Sequence, residues 1–257
     1  MDPVLFQWGT LQLRSYAVLT ELGAVLVFVH LYRDRHRLGL REASHYWLLL
    51  NAILIGGFLG GRIGFLITDP PPPGAPWRPW ALALNSGFSA FGVIAGMALG
   101  IALCCRGLRY PVRATLDRFF AVLPFWLAMA RVGCFLNGCC YGRPSTLPWA
   151  AACSDPGAAL PRALLGVSLH PVQLYEAVAD LLLGLALLRV AGRGRPGLAS
   201  ALFLAGYGAL RLALEPFRGD ARVGGPEQLL ALALIAMAAV LIGRMICEAK
   251  LPAPRQS

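Results

Sequence analysis

Seven apolar stretches, near residues 16–32, 46–67, 88–105, 119–137, 172–190, 198–217 and 227–247, leave this chain few ways to fold. Each comes close to the roughly 20 residues an α-helix needs to cross a bilayer. Within hydrocarbon a backbone must satisfy its own hydrogen bonds, and a lone apolar segment does so as a helix. Charged side chains make up 14% of the 257 residues and apolar ones 57%, whereas a soluble domain carries about a quarter charged residues. A disordered chain would be poor in apolar residues, so that class is excluded as well. The sequence therefore reads as all-α, a polytopic membrane protein with about seven transmembrane helices in a single integral membrane domain, 1–257. No basic segment precedes the first stretch and no small-residue cleavage site follows it, so it is expected to remain as a span.

The chain carries 23 basic and 13 acidic residues, a net charge of +10, and Lys250 is its one lysine. Nucleic-acid binders gather such charge on one solvated face, but here long apolar runs separate it, and no nucleic-acid partner is expected. Alternate connections account for most of it. Arg33, Arg35, Arg37, Arg41, Arg106, Arg109, Arg113, Arg118, Arg189, Arg193, Arg195, Arg244, Lys250 and Arg255 fall on one side. Arg14, Arg78, Arg143, Arg162, Arg218 and Arg222 fall on the other. The excess of Lys and Arg marks the cytoplasmic side, which puts the N-terminus outside and the C-terminus inside.

Arg62, Arg131 and Arg211 remain, each within an apolar stretch. Counting from the outer ends of their spans at 1.5 Å per residue, all three lie about 8–9 Å inside the outer boundary. An arginine within a span costs about 2.5–3.5 kcal/mol on insertion scales. Snorkelling to the headgroups accounts equally well for any one of them; three at one depth are better explained by a shared anion site. Glu21, Glu176, Glu215, His170 and Asn137 fall in the same layer. Glu215 follows Arg211 by four residues and shares its helix face, so an ion pair between them is expected.

Two outer connections are long, 68–87 and 143–169. The first is rich in proline with Trp77 and Trp80, an extended linker ending in an interfacial aromatic anchor. The second is expected to cover the outer face. Gly56, Gly60 and Gly64, with Gly57 and Gly61, form a small-residue face for close helix packing. Of the seven cysteines, Cys134, Cys139, Cys140 and Cys153 lie on the outer side, where disulfides are permitted. At least one bridge tying the 143–169 loop to the fourth span is expected, and a thiol that carries an acyl or glyceryl group is the sharper alternative. The adjacency of Cys139 and Cys140 does not match usual zinc-ligand spacing, so no metal site is expected.

Around the second buried arginine the chain reads Ala130-Arg131-Val132-Gly133-Cys134-Phe135-Leu136-Asn137-Gly138-Cys139-Cys140-Tyr141-Gly142-Arg143. This resembles the Gly-Arg-x-Gly-Asn-Phe-x-Asn-x-Glu-x-x-Gly signature of the bacterial prolipoprotein diacylglyceryl transferases. Further matches follow in the family's order: Tyr16, Gly61-Arg62-Ile63-Gly64, Ser86-Gly87-Phe88-Ser89, His170-Pro171-Val172-Gln173-Leu174-Tyr175-Glu176, and Gly206-Tyr207-Gly208-Ala209-Leu210-Arg211 with Glu215 and Arg218. The resemblance implies transfer of a diacylglyceryl group from phosphatidylglycerol to the lipobox cysteine thiol of a prelipoprotein, with release of glycerol phosphate. It also implies a multi-pass protein of the bacterial cytoplasmic (inner) membrane whose active site faces outward, with membrane lipid and prelipoprotein as partners and no cofactor. By position, Arg131 and Arg211 would clamp phosphate and Glu215 would orient Arg211 as the catalytic set. Tyr16, Arg62, Asn137, Gly142, His170 and Glu176 would bind substrate.

The chain departs from the family pattern at several positions, and three of them change the chemistry. The family's Ser-Phe-His-Gly-Gly segment is here Ser89-Ala90-Phe91-Gly92-Val93, with Phe91 at the histidine position. Cys134 stands for the signature asparagine and Cys139 for its glutamate. Phenylalanine accepts no proton, which leaves three alternatives open. Glu215, His170 or a Cys139 or Cys140 thiolate is the base; the acceptor is not a lipobox cysteine; or the chain is a paralogue that binds lipid without turnover.

Overall fold

The computed structural model describes residues 3–8, 11–38, 40, 42–68, 87–219 and 225–250. Seven long helices run through them, and they follow the apolar stretches closely. These are α1 (Ser15–Arg33), α2 (Ala43–Thr68), α3 (Ala90–Gly107), α4 (Val112–Asn137), α5 (Val172–Val190), α6 (Leu198–Leu214) and α7 (Pro226–Lys250). Six, all but α5, are long and apolar enough to cross a membrane, so the protein is an all-α, polytopic membrane protein. Helix α5 carries Glu176, Asp180 and Arg189 along its 19 residues. Helix α4 begins seven residues before its apolar stretch, because Arg113, Asp117 and Arg118 occupy its polar first turns. The proline-rich connection, including Arg78, lies outside the described residues, as do Arg41, Arg222 and Arg255.

Two short antiparallel pairs add to the helices. Strands β1 (Val4–Trp8) and β2 (Leu11–Arg14) precede α1 and pair with an irregularity between Val4 and Phe6. Phe6 and Trp8 stand exposed on this hairpin, as aromatic side chains do at a membrane–water boundary. The sequence shows no clear alternation there, and the hairpin was not expected. Strands β3 (Ala151–Ala152) and β4 (Ser168–Leu169) lie in the second outer segment, where Cys153, Leu160 and Leu169 form a small buried cluster. That segment therefore has a core of its own.

The chain packs as two compact units, residues 31–116 in one and 1–30 with 117–257 in the other. In the smaller unit α2 and α3 meet along glycine. A Cβ on Gly56 would run into the Gly96 carbonyl, one on Gly60 into Gly92, and one on Gly96 into Gly56. Close backbone approach of this kind is how helices associate where no hydrophobic effect separates them from lipid.

In the larger unit α4 is the central helix, with Phe119, Phe120, Ala121, Val122 and Leu123 all buried. Phe120 stacks on Phe203 of α6 at 4.7 Å between centroids. Trp126 donates to the Thr20 carbonyl at 3.0 Å and joins α4 to α1. Asp117 of α4 caps α6 from outside its sequence. Its carboxylate accepts from Gly197 N at 2.7 Å, Ser200 N at 2.8 Å and Ser200 Oγ at 2.6 Å, which satisfies amides that a helix N-terminus leaves open and complements its dipole.

Candidate functional site

Glu176, one turn into α5, is 3% exposed, and three guanidinium groups converge on it. Arg131 Nε of α4 lies 2.8 Å from Oε2 as an ion pair. Arg211 Nη1 of α6 donates to Oε1 at 2.6 Å, and Arg218 Nη1 donates to the same oxygen at 2.9 Å. A buried charge is tolerated only when paired, and here one buried carboxylate is shared by three cations, with Glu227 and Glu215 adding negative charge on the far side of Arg211. Arg211 Nη2 reaches out to Glu227 Oε2 at 2.6 Å, and the Glu227 side chain is 54% exposed. Glu215 stands further off, 3.9 Å from Arg211 Nη2, and accepts from Gln228 at 3.4 Å. The orientation of Arg211 expected from Glu215 thus comes mainly from Glu176 and Glu227.

Beside this cluster is a cavity of about 10 Å³ lined by Arg131, Glu176, Asp180, Tyr207 and Arg211, roughly the space one water needs. Asp180 is buried four residues after Glu176, on the same face of α5. Tyr207 stacks in parallel on Phe203 at 5.6 Å.

The segment after α4 joins Arg218 to the signature. Gly142 bridges to Arg218 in antiparallel fashion, Gly219 N donates to the Tyr141 carbonyl at 2.9 Å, and Arg143 N donates to the Phe217 carbonyl at 2.9 Å. A Cβ on Gly142 would strike the His170 carbonyl, so only glycine allows this approach. His170 N donates to the Arg143 carbonyl at 2.9 Å. Its ring packs edge-on against Phe217 at 5.3 Å and Tyr175 at 6.3 Å. His170 therefore belongs to an aromatic cluster bordering the arginine segment.

A second group of reactive side chains sits at the C-terminal end of α4. The sulfurs of Cys134, Cys139 and Cys140 lie within 4.8 Å of one another, the group of ligating side chains among the described residues that is close enough to hold a metal. Gly138 at φ 77° and Cys140 at φ 55° turn the chain sharply, and Gln173 Nε2 holds the loop by donating to the Cys139 carbonyl at 2.8 Å. Cys140 lies well below the usual thiol range because Cys134 and Cys139 hydrogen-bond to its sulfur and Arg131 and Arg218 stand near it. The Asn137 side chain bonds the Cys139 sulfur, while its buried Oδ1 has no hydrogen-bond partner. Tyr16 is within electrostatic range of all three thiols, and its backbone packs on Gly133.

All four outer cysteines are free thiols in the structure, and the bridge expected from the loop to α4 is not formed. Cys153 is packed instead among Leu160 and Leu169. The structure thus brings together Arg131, Arg211, Glu176 and Glu215, and places Tyr16, Asn137, Gly142 and His170 around them in the same unit. Glu21 lies on an exposed face of α1. Arg62 and Phe91 belong to the other unit. Arg62 Nη1 donates to the Gly87 carbonyl at 2.6 Å, and its guanidinium lies over Phe88 and Phe65 at 5.2 and 5.5 Å. Phe91 is buried in the first turn of α3.

Arg218, Glu227 and Asp180 were not expected in the site. Arg218 had been counted as an outer loop charge, although it lies seven residues, about two helical turns, beyond Arg211. The spacing of Asp180 from Glu176 was a usable signal; Glu227, in the first turn of a distant helix, left none.

Residues 3–246 match the family model for prolipoprotein diacylglyceryl transferase. The chain is 31% identical to phosphatidylglycerol–prolipoprotein diacylglyceryl transferase of Clostridium tetani over 245 residues, covering 95% of each protein. It is 35% identical to the enzyme of that name from Azospirillum brasilense over 239 residues, 87% of this chain and 84% of the relative. For that of Gluconobacter oxydans the identity is 32% over 270 aligned positions, covering 98% and 94%. The matched length takes in every element that builds the Glu176 cluster, and the chain belongs to the prolipoprotein diacylglyceryl transferase family.

Proposed function

We propose that this protein transfers the diacylglyceryl group of phosphatidylglycerol to the cysteine thiol of a prelipoprotein lipobox. It works at the outer face of the bacterial inner membrane, with seven spans, the N-terminus outside and the C-terminus inside. The observation that carries this reading is the convergence of Arg131, Arg211 and Arg218 on the single buried carboxylate of Glu176. A phosphodiester brings one negative charge, and the thiolate's attack on the glyceryl carbon expels a phosphate oxygen that gains more. Fixed guanidiniums stabilise that developing charge and need no reorganisation during reaction. Glu227, half exposed on Arg211, is the carboxylate a lipid phosphate can most readily displace. Tyr16, Asn137, Gly142 and His170 border the headgroup.

The test is diacylglyceryl transfer to a prelipoprotein in membranes. Arg131→Ala and Arg211→Ala are each expected to abolish it, and full activity in both variants would sink the clamp assignment. A second reading is motivated by Phe91: a paralogue that binds anionic phospholipid without catalysis, or that serves another acceptor. Complementation of a strain depleted of its own transferase separates the readings. Rescue supports the enzyme, whereas retained lipid binding without rescue, corrected by Phe91→His, supports the paralogue.

A further inference from the structure

The absence of a histidine at position 91 leaves the acceptor thiol without its proton acceptor, and the cysteine trio offers a different solution. Building on the transferase reading above, we infer that Cys134, Cys139 and Cys140 bind a thiophilic divalent ion of the zinc class, whose remaining position takes and activates the acceptor thiol.

Geometry supports this assignment. Zinc binds thiolate sulfur at about 2.3 Å, which puts sulfurs on one tetrahedral ion about 3.8 Å apart. The three sulfurs already lie within 4.8 Å of one another, so small side-chain adjustments close the site. The objection from sequence was that neighbouring residues such as Cys139 and Cys140 point apart. The backbone removes it: Gly138 and Cys140 both have positive φ, and the resulting turn aims adjacent side chains at one point.

Charge favours the site too. Three thiolates around a divalent ion leave one net negative charge, and Arg131 and Arg218 both act on Cys140 electrostatically. The same arginines belong to the phosphate cluster around Glu176, so the thiol site and the phosphate site share a wall. Asn137 Oδ1, buried and without a hydrogen-bond partner, borders the trio as an acceptor for a water or incoming group. Two of the three ligands, Cys134 and Cys139, occupy signature positions where the family pattern has asparagine and glutamate.

The chemistry balances without an oxidant or a protein base. Zinc sites built from three protein ligands keep the fourth position for water or substrate, and a thiol that coordinates such an ion is deprotonated outright. The acceptor S–H bond breaks as sulfur replaces water on the ion, and the proton passes to solvent. A sulfur lone pair then forms the C–S bond to the glyceryl carbon while the C–O bond to phosphate breaks, its electron pair leaving with glycerol phosphate. The thioether product, a weak neutral ligand, gives way to water.

The test uses the full-length protein, reduced and purified in detergent, with Co²⁺ as the spectroscopic probe. One Co²⁺ per chain with intense thiolate-to-metal absorption is expected. Affinity should fall at least tenfold in each of Cys134→Ser, Cys139→Ser and Cys140→Ser, and stay unchanged in Cys153→Ser. A lipobox peptide should shift the Co²⁺ spectrum, and its Cys→Ser version should not. No bound metal in the reduced wild type, binding that survives all three substitutions together, or a spectrum indifferent to the peptide thiol would each overturn the inference. So would equal transfer rates in metal-stripped and reloaded enzyme. Trio-dependent binding and a peptide-induced shift, with no transfer in either form, would uphold the site and refute the transferase reading instead.

Discussion

The buried arginines of the two units solve one problem in two ways. Arg131, Arg211 and Arg218 share a carboxylate that is itself buried, whereas Arg62 is held by a carbonyl and two aromatic faces. Hydropathy ranks Arg62, Arg131 and Arg211 alike, because depth measures only the cost of leaving water. What repays that cost sets the role. A guanidinium whose contacts include its own unit's Gly87 carbonyl and aromatic faces is tied to its local fold. Three guanidiniums around one buried carboxylate, one of them also holding the half-exposed Glu227, can take an anionic ligand in place of that outer partner.

The largest expected effect comes from Glu176. Removing one partner of a buried ion pair costs about 3–5 kcal/mol, and Glu176→Ala takes the shared buried carboxylate from three cations at once. The variant should fail to assemble as a stable protein, read by loss of a monodisperse peak in detergent. Glu176→Gln, which keeps an acceptor oxygen, should assemble but lose thermal stability. Normal stability in Glu176→Ala would break the contrast between the units, since the cluster would then not depend on its carboxylate.

Arg131→Ala and Arg211→Ala come next, with activity rather than folding as the readout. Loss of a preorganised cation at a developing charge costs about 10²–10³ in rate. Arg218→Ala, whose partner is the same oxygen of Glu176 as Arg211's, should behave like them. Unchanged transfer in Arg218→Ala would restrict the phosphate site to the two arginines that lie within apolar spans.

The α2–α3 seam tests the smaller unit independently of charge. A Cβ on Gly96 has no space beside the Gly56 carbonyl, so Gly96→Val must separate the helices. Overpacking typically costs about 1–3 kcal/mol, and a lower melting temperature is expected, with lost activity recovered on cooling. A melting temperature equal to wild type would mean that the seam is adjustable.

How much of this was legible beforehand depends on range. The apolar stretches mark the helices because hydropathy is a local property; even α5, with Glu176, Asp180 and Arg189, begins and ends where its stretch does. The site was half legible. Arg131, Arg211 and Glu176 stood out as ionisable groups in apolar surroundings, but their convergence on one carboxylate depends on how α4, α5 and α6 pack. Arg218 was read as a loop charge because its burial comes from the pairing of Gly142 with it, a contact across 76 residues. The close grouping of Cys134, Cys139 and Cys140 is illegible for a similar reason, since positive φ at a non-glycine residue such as Cys140 is not written in side-chain spacing.

Arg62 should give the smallest effect and the sharpest discrimination. Its role within its unit requires a donor for the Gly87 carbonyl at 2.6 Å and a cation over Phe88. Lysine supplies both in part, and glutamine supplies only the donor. A hydrogen bond from a charged group contributes about 1.5–3 kcal/mol and an aromatic face about 0.5–1. Arg62→Gln should therefore lose more thermal stability than Arg62→Lys, and both should keep most transfer activity under conditions where they are folded. Were Arg62 part of the phosphate site, activity would instead fall 10²-fold or more in both variants while stability changed little, because charge delocalised over a planar fork matches phosphate in a way that an ammonium does not. That outcome would move Arg62 from the structural class of buried arginine into the functional one.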